Sequence, residues 1–228
     1  MVKMKFYGHS AFRLTGEKSI VLDPGIVKGK ALVPYEEKTD AVCITHRHKD
    51  HFGNAVQIAE KHKAYIVGNE QTIAVAYKKG VTAKSLKYLR DSRTLVFDGV
   101  SITGYSLRHG FPLMRFIVKV MGFVISMGGV SLAHLGDTVW CENLRRINAD
   151  ILLIPIGGIV TFNIREAAEA VKIIRPKLVV PIHAETSIST TDFRLFEQMI
   201  REKTQGIYVK AMKIGETVDL GDIIRKKW

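Results

Sequence analysis

The sequence predicts an α+β fold in which two packed β-sheets carry helices on their outer faces. Short β-type runs dominate the first 22 residues, with glycines and an Asp-Pro-Gly turn between them. Apolar runs then alternate with segments of helical spacing, and this succession occurs roughly twice along the chain. Helices on both outer faces of two packed sheets would satisfy the pattern. Periodicity alone is also compatible with other α/β arrangements.

The first half of the chain contains short predicted strands and two predicted helices. Strands are predicted where apolar and β-branched residues cluster between turn residues, at residues 3–7, 11–14, 19–22, 41–45 and 64–67. Residues 54–63 and 69–79 have helical spacing, and Gly80 ends the second of these helices. The strand at residues 41–45 runs directly into a cluster of histidines.

The second half opens with a long β-rich stretch over residues 94–135. Further strands are predicted at residues 151–155, 178–182, 206–209 and 217–220, and helices at residues 164–174 and 192–203. Asn163 is the predicted N-cap of the first helix, and Pro176 lies just past its end. Thr191 or Asp192 is expected to cap the second helix.

Length and composition favour one globular domain spanning residues 1–228. Hydrophobic residues make up 46% of the chain and charged residues 25%, and no Pro/Gly/Ser-rich linker divides it. Two isolated cysteines, Cys43 and Cys141, do not suggest a disulfide framework. The polar N-terminus is unlike a signal peptide, and no run approaches the roughly 18 apolar residues of a membrane helix. We therefore expect a cytoplasmic protein with no membrane span.

The formal net charge of +12 raises the local concentration of anions. Such a charge can support binding of phosphate or nucleic acid. The lysines and arginines are scattered along the chain, however, and clustering marks a binding stripe better than total charge does. An ordinary solvated surface is the favoured interpretation. We expect a small anionic molecule as the partner, with nucleic acid as an alternative.

The strongest chemical signal is the segment Thr45-His46-Arg47-His48-Lys49-Asp50-His51, which follows an apolar strand. Imidazole and carboxylate groups are ligands that suit Zn, Mn or Fe. His46 and His48 are two residues apart, so they face the same side of an extended chain and can bind one ion. Asp50 and His51 point elsewhere and can serve a second ion. A polar loop with chance histidines is the alternative, which the eight histidines of the whole chain make improbable.

Three further candidate ligands stand at the ends of predicted strands. His109 follows residues 101–107, Asp137 follows residues 131–135, and His183 follows residues 178–182. Each one alone could be a partly exposed polar residue or a turn residue. The same placement repeated three times, together with the histidine cluster, predicts a shared metal centre.

In this order the motifs resemble those of the metallo-β-lactamase superfamily. The resemblance spans most of the chain and rests on residues 45–51, on His109, on Gly136-Asp137-Thr138 and on Pro181-Ile182-His183. Gly8-His9-Ser10-Ala11-Phe12 and Leu22-Asp23-Pro24 resemble the branch of uncharacterised metal-dependent hydrolases, ascorbate-6-phosphate lactonases and N-acylphosphatidylethanolamine phospholipase D enzymes. The resemblance implies a four-layer αββα sandwich of two mixed sheets, with the site at the edge between the sheets.

The resemblance also implies two metal sites joined by one carboxylate. The implied ligands are His46, His48 and His109 for the first metal, Asp50, His51 and His183 for the second, and Asp137 for the bridge. Zinc is the expected metal, with manganese and iron as alternatives.

The expected reaction is hydrolysis by a hydroxide that bridges two divalent metal ions. Asp50 and Asp137 are the predicted catalytic residues, because they can orient the water and accept its proton. The expected substrate is a small anionic ester, lactone or phosphodiester. A nucleic-acid phosphodiesterase and a non-catalytic metal-binding or interaction module are the alternatives.

Several residues near these motifs have two interpretations. His9 and Asp23 can orient metal ligands from behind, although Asp23 also fits a simple Asp-Pro-Gly turn. His134 can donate a proton to a leaving group, or it can be a surface or inter-strand histidine.

The apolar segment 111–121 directly follows His109 and so is expected near the metals. We expect Phe111 and Phe116 to form a wall for the substrate or a contact in a homo-oligomer. Arg115 or Lys119 is expected to attract an anionic group. A plain core strand is the alternative.

Overall fold

The computed structural model describes residues 1–111, 116–184 and 192–225. The strands, in chain order, are β1 (Lys3–Gly8), β2 (Ala11–Thr15), β3 (Ser19–Leu22), β4 (Ile26–Val27), β5 (Lys30–Ala31), β6 (Ala41–Ile44), β7 (Tyr65–Gly68), β8 (Leu86–Tyr88), β9 (Thr94–Phe97), β10 (Val100–Phe111), β11 (Phe116–Met127), β12 (Val130–His134), β13 (Ile151–Pro155), β14 (Leu178–Ile182), β15 (Tyr208–Val209) and β16 (Thr217–Asp219). The α-helices are α1 (Lys49–Phe52), α2 (Ala55–His62), α3 (Glu70–Lys78), α4 (Ile164–Ile174), α5 (Phe193–Lys203) and α6 (Leu220–Arg225). Short 3₁₀ segments occupy Ala83–Ser85 and Glu142–Arg146.

The first large sheet has the strand order β16-β1-β2-β3-β6-β7-β8. Its first four strands pair antiparallel, and the pairs from β3 through β8 are parallel. Helices α2 and α3 lie in the connections between the parallel strands β6, β7 and β8. The carboxyl ends of β6 and β7 therefore lie at one edge of the sheet, and the histidine cluster follows β6 directly.

The second large sheet has the order β15-β14-β13-β12-β11-β10-β9. Strands β12 to β15 pair in parallel, and β9 to β12 pair antiparallel. Each large sheet thus has a parallel half and an antiparallel half. The longest pairing joins β10 and β11, where Arg108 lies opposite Lys119 and His109 lies opposite Val118.

Three apolar clusters divide the molecule into four layers. The central cluster joins the two sheets through residues such as Phe12, Ile20, Phe123 and Ile151. A second cluster packs α4 and α5 against the outer face of the second sheet, and a third packs α2 and α3 against the first sheet. The fold is therefore the predicted αββα sandwich, in which each sheet buries one face against the other sheet and one against helices.

The longer elements agree with the sequence prediction to within two residues. Asp192 caps α5 by accepting hydrogen bonds from the backbone N–H groups of Arg194 and Leu195, whereas the alternative cap Thr191 lies outside the described residues. The sequence did not predict β4, β5, β8, α1 or α6, because elements of two to six residues are too short to display a period. The predicted end of the last strand at Leu220 is wrong, since Leu220 begins α6.

Within the described ranges, no helix combines the length and the apolar character that crossing a membrane requires.

Candidate metal centre

The histidine cluster forms a short loop and helix at the carboxyl end of β6. His46 and His48 lie in the loop, and Asp50 and His51 lie in α1. Gly25 and Gly53 let the neighbouring chain approach this helix closely. A Cβ atom at Gly25 would lie 1.8 Å from the carbonyl oxygen of Asp50, and one at Gly53 would lie 1.9 Å from that of Pro24. Any larger residue at either position would displace the helix that carries two of the predicted ligands.

The first predicted metal site brings His46, His48 and His109 together. One ring nitrogen from each lies within 4.8 Å of the others. His46 Nε2 lies 2.9 Å from His48 Nδ1. The Nδ1–H of His109 donates to the carbonyl oxygen of Val160 at 2.9 Å, which leaves Nε2 free to face the cluster.

The second predicted site brings Asp50, His51 and His183 together and adds His9. Ligand atoms of all four residues lie within 4.8 Å of one another. His9 Nε2 donates to Asp50 Oδ2 at 3.2 Å, and the His9 ring lies 4.0 Å from the His183 ring. The backbone joins the same residues, since the N–H of His183 donates to the carbonyl oxygen of His9. His9 is therefore part of the cluster itself, closer than the supporting position that the sequence predicts.

Asp137 lies between the two groups, as the resemblance implies for a bridging carboxylate. Its Oδ1 atom lies 3.2 Å from His51 Nε2, and its Oδ2 atom lies 3.3 Å from His183 Nε2 and 3.8 Å from His109 Nε2. The carboxylate is almost completely buried, with 3% relative exposure. Oδ1 thus faces one imidazole of the second group, and Oδ2 faces one imidazole from each group.

Asp23 holds this arrangement from behind. Its Oδ1 accepts the backbone N–H of Thr45 at 2.8 Å, and its Oδ2 accepts the hydroxyl of Thr45 at 2.7 Å and the Nδ1–H of His51 at 2.8 Å. The Thr45 hydroxyl in turn lies 3.1 Å from His46 Nδ1, from which it can accept a hydrogen bond. These hydrogen bonds engage Nδ1 of His46 and of His51, so the Nε2 atom of each ring faces the cluster. Asp23 is therefore a fully buried anchor, and not merely a turn residue.

Backbone conformation also marks the site. His9, Asp23 and His183 have positive φ angles of 55°, 43° and 52°. Residues other than glycine adopt this left-handed region at a cost in free energy, and such positions concentrate at functional sites. Here the left-handed conformation accompanies three side chains that converge from separate loops.

Burial keeps the first group of histidines in the neutral form that binds metal. Loss of solvation lowers the pKa of His46 well below its usual value and also lowers the pKa of His48 and His109. Burial opposes the charged form of His51 as well, but the Asp137 and Asp23 carboxylates prevail and raise its pKa well above the usual value. Without metal, a proton on His51 therefore balances part of the buried negative charge.

Three buried atoms test whether metal ions fit this cluster. Seven buried side-chain atoms of the described residues have no hydrogen-bond partner, and three of them belong to predicted ligands: His51 Nε2, Asp137 Oδ1 and His183 Nδ1. Unpaired buried polar atoms are costly, and a bound cation can satisfy those that belong to ligands. A shared cation would also account for the short distance of 2.9 Å between His46 Nε2 and His48 Nδ1. The nitrogen and carboxylate donors suit a transition-metal ion, so the residues fit the implied metals.

Both ring nitrogens of His134 are engaged by backbone groups, and its Nε2 also lies 3.4 Å from Asp23 Oδ2. Its Nε2–H donates to the carbonyl oxygen of Ser10 at 3.0 Å, and its Nδ1 accepts the backbone N–H of Gly136 at 3.0 Å. The ring is completely buried. This arrangement favours the inter-strand interpretation over proton donation to a leaving group.

The segment after His109 is only partly described. Arg115 lies outside the described residues, as do the side chains of Phe111 and Phe116, so their predicted roles stay predictions. Lys119 is exposed and lies opposite Arg108, on the neighbouring strand to His109.

Comparison with known proteins agrees with this geometry. The beta-lactamase superfamily domain matches residues 3–183 of the chain. The chain belongs to the metallo-β-lactamase superfamily. Within the superfamily, a UPF0173 metal-dependent hydrolase of Thermococcus onnurineus is 34% identical over 227 residues, covering 95% of this chain and 100% of that one. A UPF0173 metal-dependent hydrolase of Thermus thermophilus is also 34% identical, covering 96% and 100%.

Two solved structures share the fold over nearly the whole chain. Igni18, a metallo hydrolase from Ignicoccus hospitalis, has a TM-score of 0.81 and 28% identity, and the match covers 95% of this chain and 97% of that one. An isothiocyanate hydrolase from Delia radicum gut bacteria has a TM-score of 0.76 at 19% identity, covering 99% and 100%, which shows a shared fold alone. The chain is thus a metal-dependent hydrolase of the metallo-β-lactamase superfamily, with a His/Asp cluster that can bind metal.

Proposed function

We propose that the chain is a dinuclear hydrolase that acts on a small anionic ester, lactone or phosphodiester. The observation that supports it best is the position of Asp137, whose carboxylate faces His51 and His183 of the second group and His109 of the first. We assign His46, His48 and His109 to the first metal, Asp50, His51 and His183 to the second, and Asp137 to both.

Two divalent ions, with zinc as the proposed metal, would supply a water of lowered pKa and would polarise a substrate oxygen. The chain's own residues would hold the site together and accept a proton. Asp137 is buried and already faces imidazoles on two sides, so it would hold the two halves of the site in register. Asp50 is the more exposed carboxylate, at 39% of its side chain, and its Oδ2 is held by His9. Asp50 is therefore the better placed of the two to receive a proton from the solvent side.

Charge at the rim supports an anionic substrate. Arg47 and Lys49 alternate with the ligands His48 and Asp50, and both cations are exposed. Neither forms an ion pair within the described parts of the chain. Two unpaired cations beside partly exposed ligands would attract an anion and orient it toward the metals.

The first test is metal content together with hydrolysis. Elemental analysis of metal-reconstituted protein is expected to give close to two transition-metal ions per chain. A screen of anionic and neutral esters, lactones and phosphodiesters is expected to give turnover that chelation abolishes and added metal restores. One ion per chain would contradict the dinuclear assignment. Equal turnover of neutral and anionic members of a substrate pair would contradict the anionic preference.

The rim cations allow a sharper test once a substrate is known. Arg47→Gln with Lys49→Gln is expected to raise KM for an anionic substrate about tenfold, with little change in kcat, because the cations act on binding. Arg165→Gln with Lys172→Gln on the exposed face of α4 is the matched control, with the same loss of charge. Equal effects of the two double variants would exclude a specific role for the rim.

A further inference from the structure

Three surface cavities adjoin one another on the molecule and share lining residues. Their volumes are about 760, 640 and 330 Å³. Tyr88 and Arg90 line both the first and the second cavity, and Arg108 and Asn143 line both the second and the third. We call this continuous surface the β8–β10 channel. None of the seven predicted metal ligands lines any of the three cavities.

Exposed aromatic rings are concentrated in the β8–β10 channel. Among the described residues, four aromatic side chains of the chain are largely exposed: Tyr35, Tyr77, Tyr88 and Trp140. Three of them line the channel, with exposures of 63% for Tyr77, 48% for Tyr88 and 40% for Trp140. Exposed rings that gather along one channel offer flat apolar faces to a ligand.

Cations without ion-pair partners lie between these rings. Arg90, Arg108 and Lys119 line the channel, and none of them has a salt bridge to a described residue. Arg90 lies over the Tyr88 ring at 5.8 Å. Arg108 and Lys119 are opposite each other on β10 and β11, where like charges repel in the absence of an anion.

The acidic residues of the channel compensate little of this charge. Asp91 is engaged by Arg146 and by the backbone N–H of Ser106, and Glu142 is engaged by Arg145. Glu70, in the first turn of α3, is the remaining acidic residue lining the channel. Three cations and three acidic residues line the channel, and because Arg145 and Arg146 pair with Glu142 and Asp91 from outside it, three cations remain against Glu70 alone.

From these observations we propose that the β8–β10 channel binds single-stranded nucleic acid. Aromatic faces would stack on bases, and Arg90, Arg108 and Lys119 would pair with phosphates, which is the combination by which proteins bind single strands without sequence preference. An acidic peptide would satisfy the cations but would offer no ring faces for Tyr77, Tyr88 and Trp140. Because strand side chains alternate, Arg108 and the ligand His109 project to opposite faces of β10. The proposal therefore does not depend on the hydrolase reaction.

The test is fluorescence anisotropy with labelled dodecamers of oligo(dT) and oligo(U). Both are expected to bind. For each tenfold rise in salt concentration, the logarithm of the association constant is expected to fall by about 0.7 per phosphate contact. Tyr88→Ala is expected to weaken binding by roughly 5- to 100-fold through loss of stacking. Tyr35→Ala is the matched control, because Tyr35 is equally exposed but lies outside the channel.

Charge variants separate a specific channel from the general positive charge. Arg90→Glu with Lys119→Glu is expected to weaken binding at least tenfold and to reduce the salt dependence. Arg165→Glu with Lys172→Glu on α4 makes the same change in net charge and is expected to have a much smaller effect. Melting temperatures within a few degrees of the parent protein show that each variant is folded. Equal effects of the two charge variants, or of the two tyrosine variants, would overturn the proposal.

Two further measurements distinguish this site from the metal centre and from a site for peptides. Chelation of the metals is expected to leave oligonucleotide affinity unchanged. Loss of binding on chelation would place the oligonucleotide at the metals and would contradict the channel. A poly-glutamate peptide is expected to compete weakly. Competition equal to that of unlabelled oligo(dT) would show that charge alone attracts the ligand, which would also overturn the proposal.

Discussion

At the scale of single residues, the metal centre depends on which nitrogen of each histidine is free. Asp23 receives the Nδ1–H of His51 directly and orients His46 through the Thr45 hydroxyl. Val160 does the same for His109 through its carbonyl oxygen. Each of these bonds selects one tautomer and holds the ring in place, so that metal binding need not order the side chain.

Replacing Asp137 should reduce activity and metal binding more than replacing Asp23. Asp137→Ala is expected to abolish hydrolysis and to reduce metal content, because the carboxylate faces His109 of the first group and His51 and His183 of the second. Asp23→Ala is expected to reduce metal affinity or activity by about 10- to 100-fold, the usual cost of losing a supporting partner. Elemental analysis and rate measurement on both folded variants check this. Similar losses in the two variants would contradict the bridging assignment.

His9 is expected to contribute to the second metal site. Its Nε2 lies within reach of Asp50, and its ring lies against His183. His9→Ala is therefore expected to weaken binding of one of two metals by about tenfold or more. Titration against a chelator gives the affinity, and elemental analysis at saturating metal gives the number bound. A fall to one ion would indicate a direct ligand, and two ions with lower affinity a positioning residue. Unchanged affinity would exclude both.

At the scale of elements, strand ends and helix starts bring the site together. His183 follows β14, Asp137 follows β12 and His46 follows β6, so the ligands come from the carboxyl ends of strands in both sheets. The cap of α4 stabilises the neighbouring loop. Asn163 accepts the backbone N–H of Glu166 at 3.0 Å, and Glu166 accepts that of Asn163 at 2.9 Å. This capping box satisfies two N–H groups that a helix start otherwise leaves free.

Loss of this cap should lower stability without changing the metal site. Asn163→Ala is expected to reduce the free energy of unfolding by about 1 kcal/mol, because a helix N–H loses its partner. Urea unfolding checks the stability, and elemental analysis checks that metal content is unchanged. Arg165→Ala, at an exposed position two residues further along, should stay within about 0.5 kcal/mol of the parent. A larger loss for Arg165→Ala than for Asn163→Ala would contradict the role of the cap.

At the scale of the whole molecule, the part of the chain after residue 183 completes both sheets. Strand β16 pairs with β1 at the first edge of one sheet, and β15 pairs with β14 at the edge of the other. Leu220 is fully buried in the central cluster, and Phe196 is fully buried in the cluster under α4 and α5. The last residues thus pack on structure formed by the first ones, which supports our proposal of a single domain over residues 1–228.

A single domain is expected to unfold in one cooperative transition. Far-UV circular dichroism and tryptophan fluorescence should give coincident urea curves, because the two sheets share one core. Metal removal is expected to lower the midpoint while keeping one transition. At free metal one hundred times Kd, each independent ion adds about 2.7 kcal/mol. Two separated transitions would contradict the single domain, and an unchanged midpoint would contradict metal binding to the native state.

The sequence predicted features that depend on neighbouring residues. Apolar period and turn residues indicated the longer strands and helices, and the cap of α4 followed from Asn163 at its start. The histidine cluster and the recurrence of polar residues after strands indicated seven candidate ligands, whereas the potential ligand groups in the structure also include His9. These inferences succeed because hydrogen bonds within helices and the alternation of strands act over a few residues.

Only the tertiary structure decided features that join distant parts of the chain. His9 and Asp50 are in contact although they are 41 residues apart in the sequence, and Asp23 anchors His51, which lies 28 residues further along. The channel residues Tyr88, Arg108 and Lys119 come from three strands whose order no local pattern specifies. Left-handed backbone at His9 and Asp23 turns these side chains into the site, and the packing of two sheets holds that conformation. Contacts of this kind depend on the closed fold, because the energy that stabilises them comes from burial of the whole core and not from the adjacent residues.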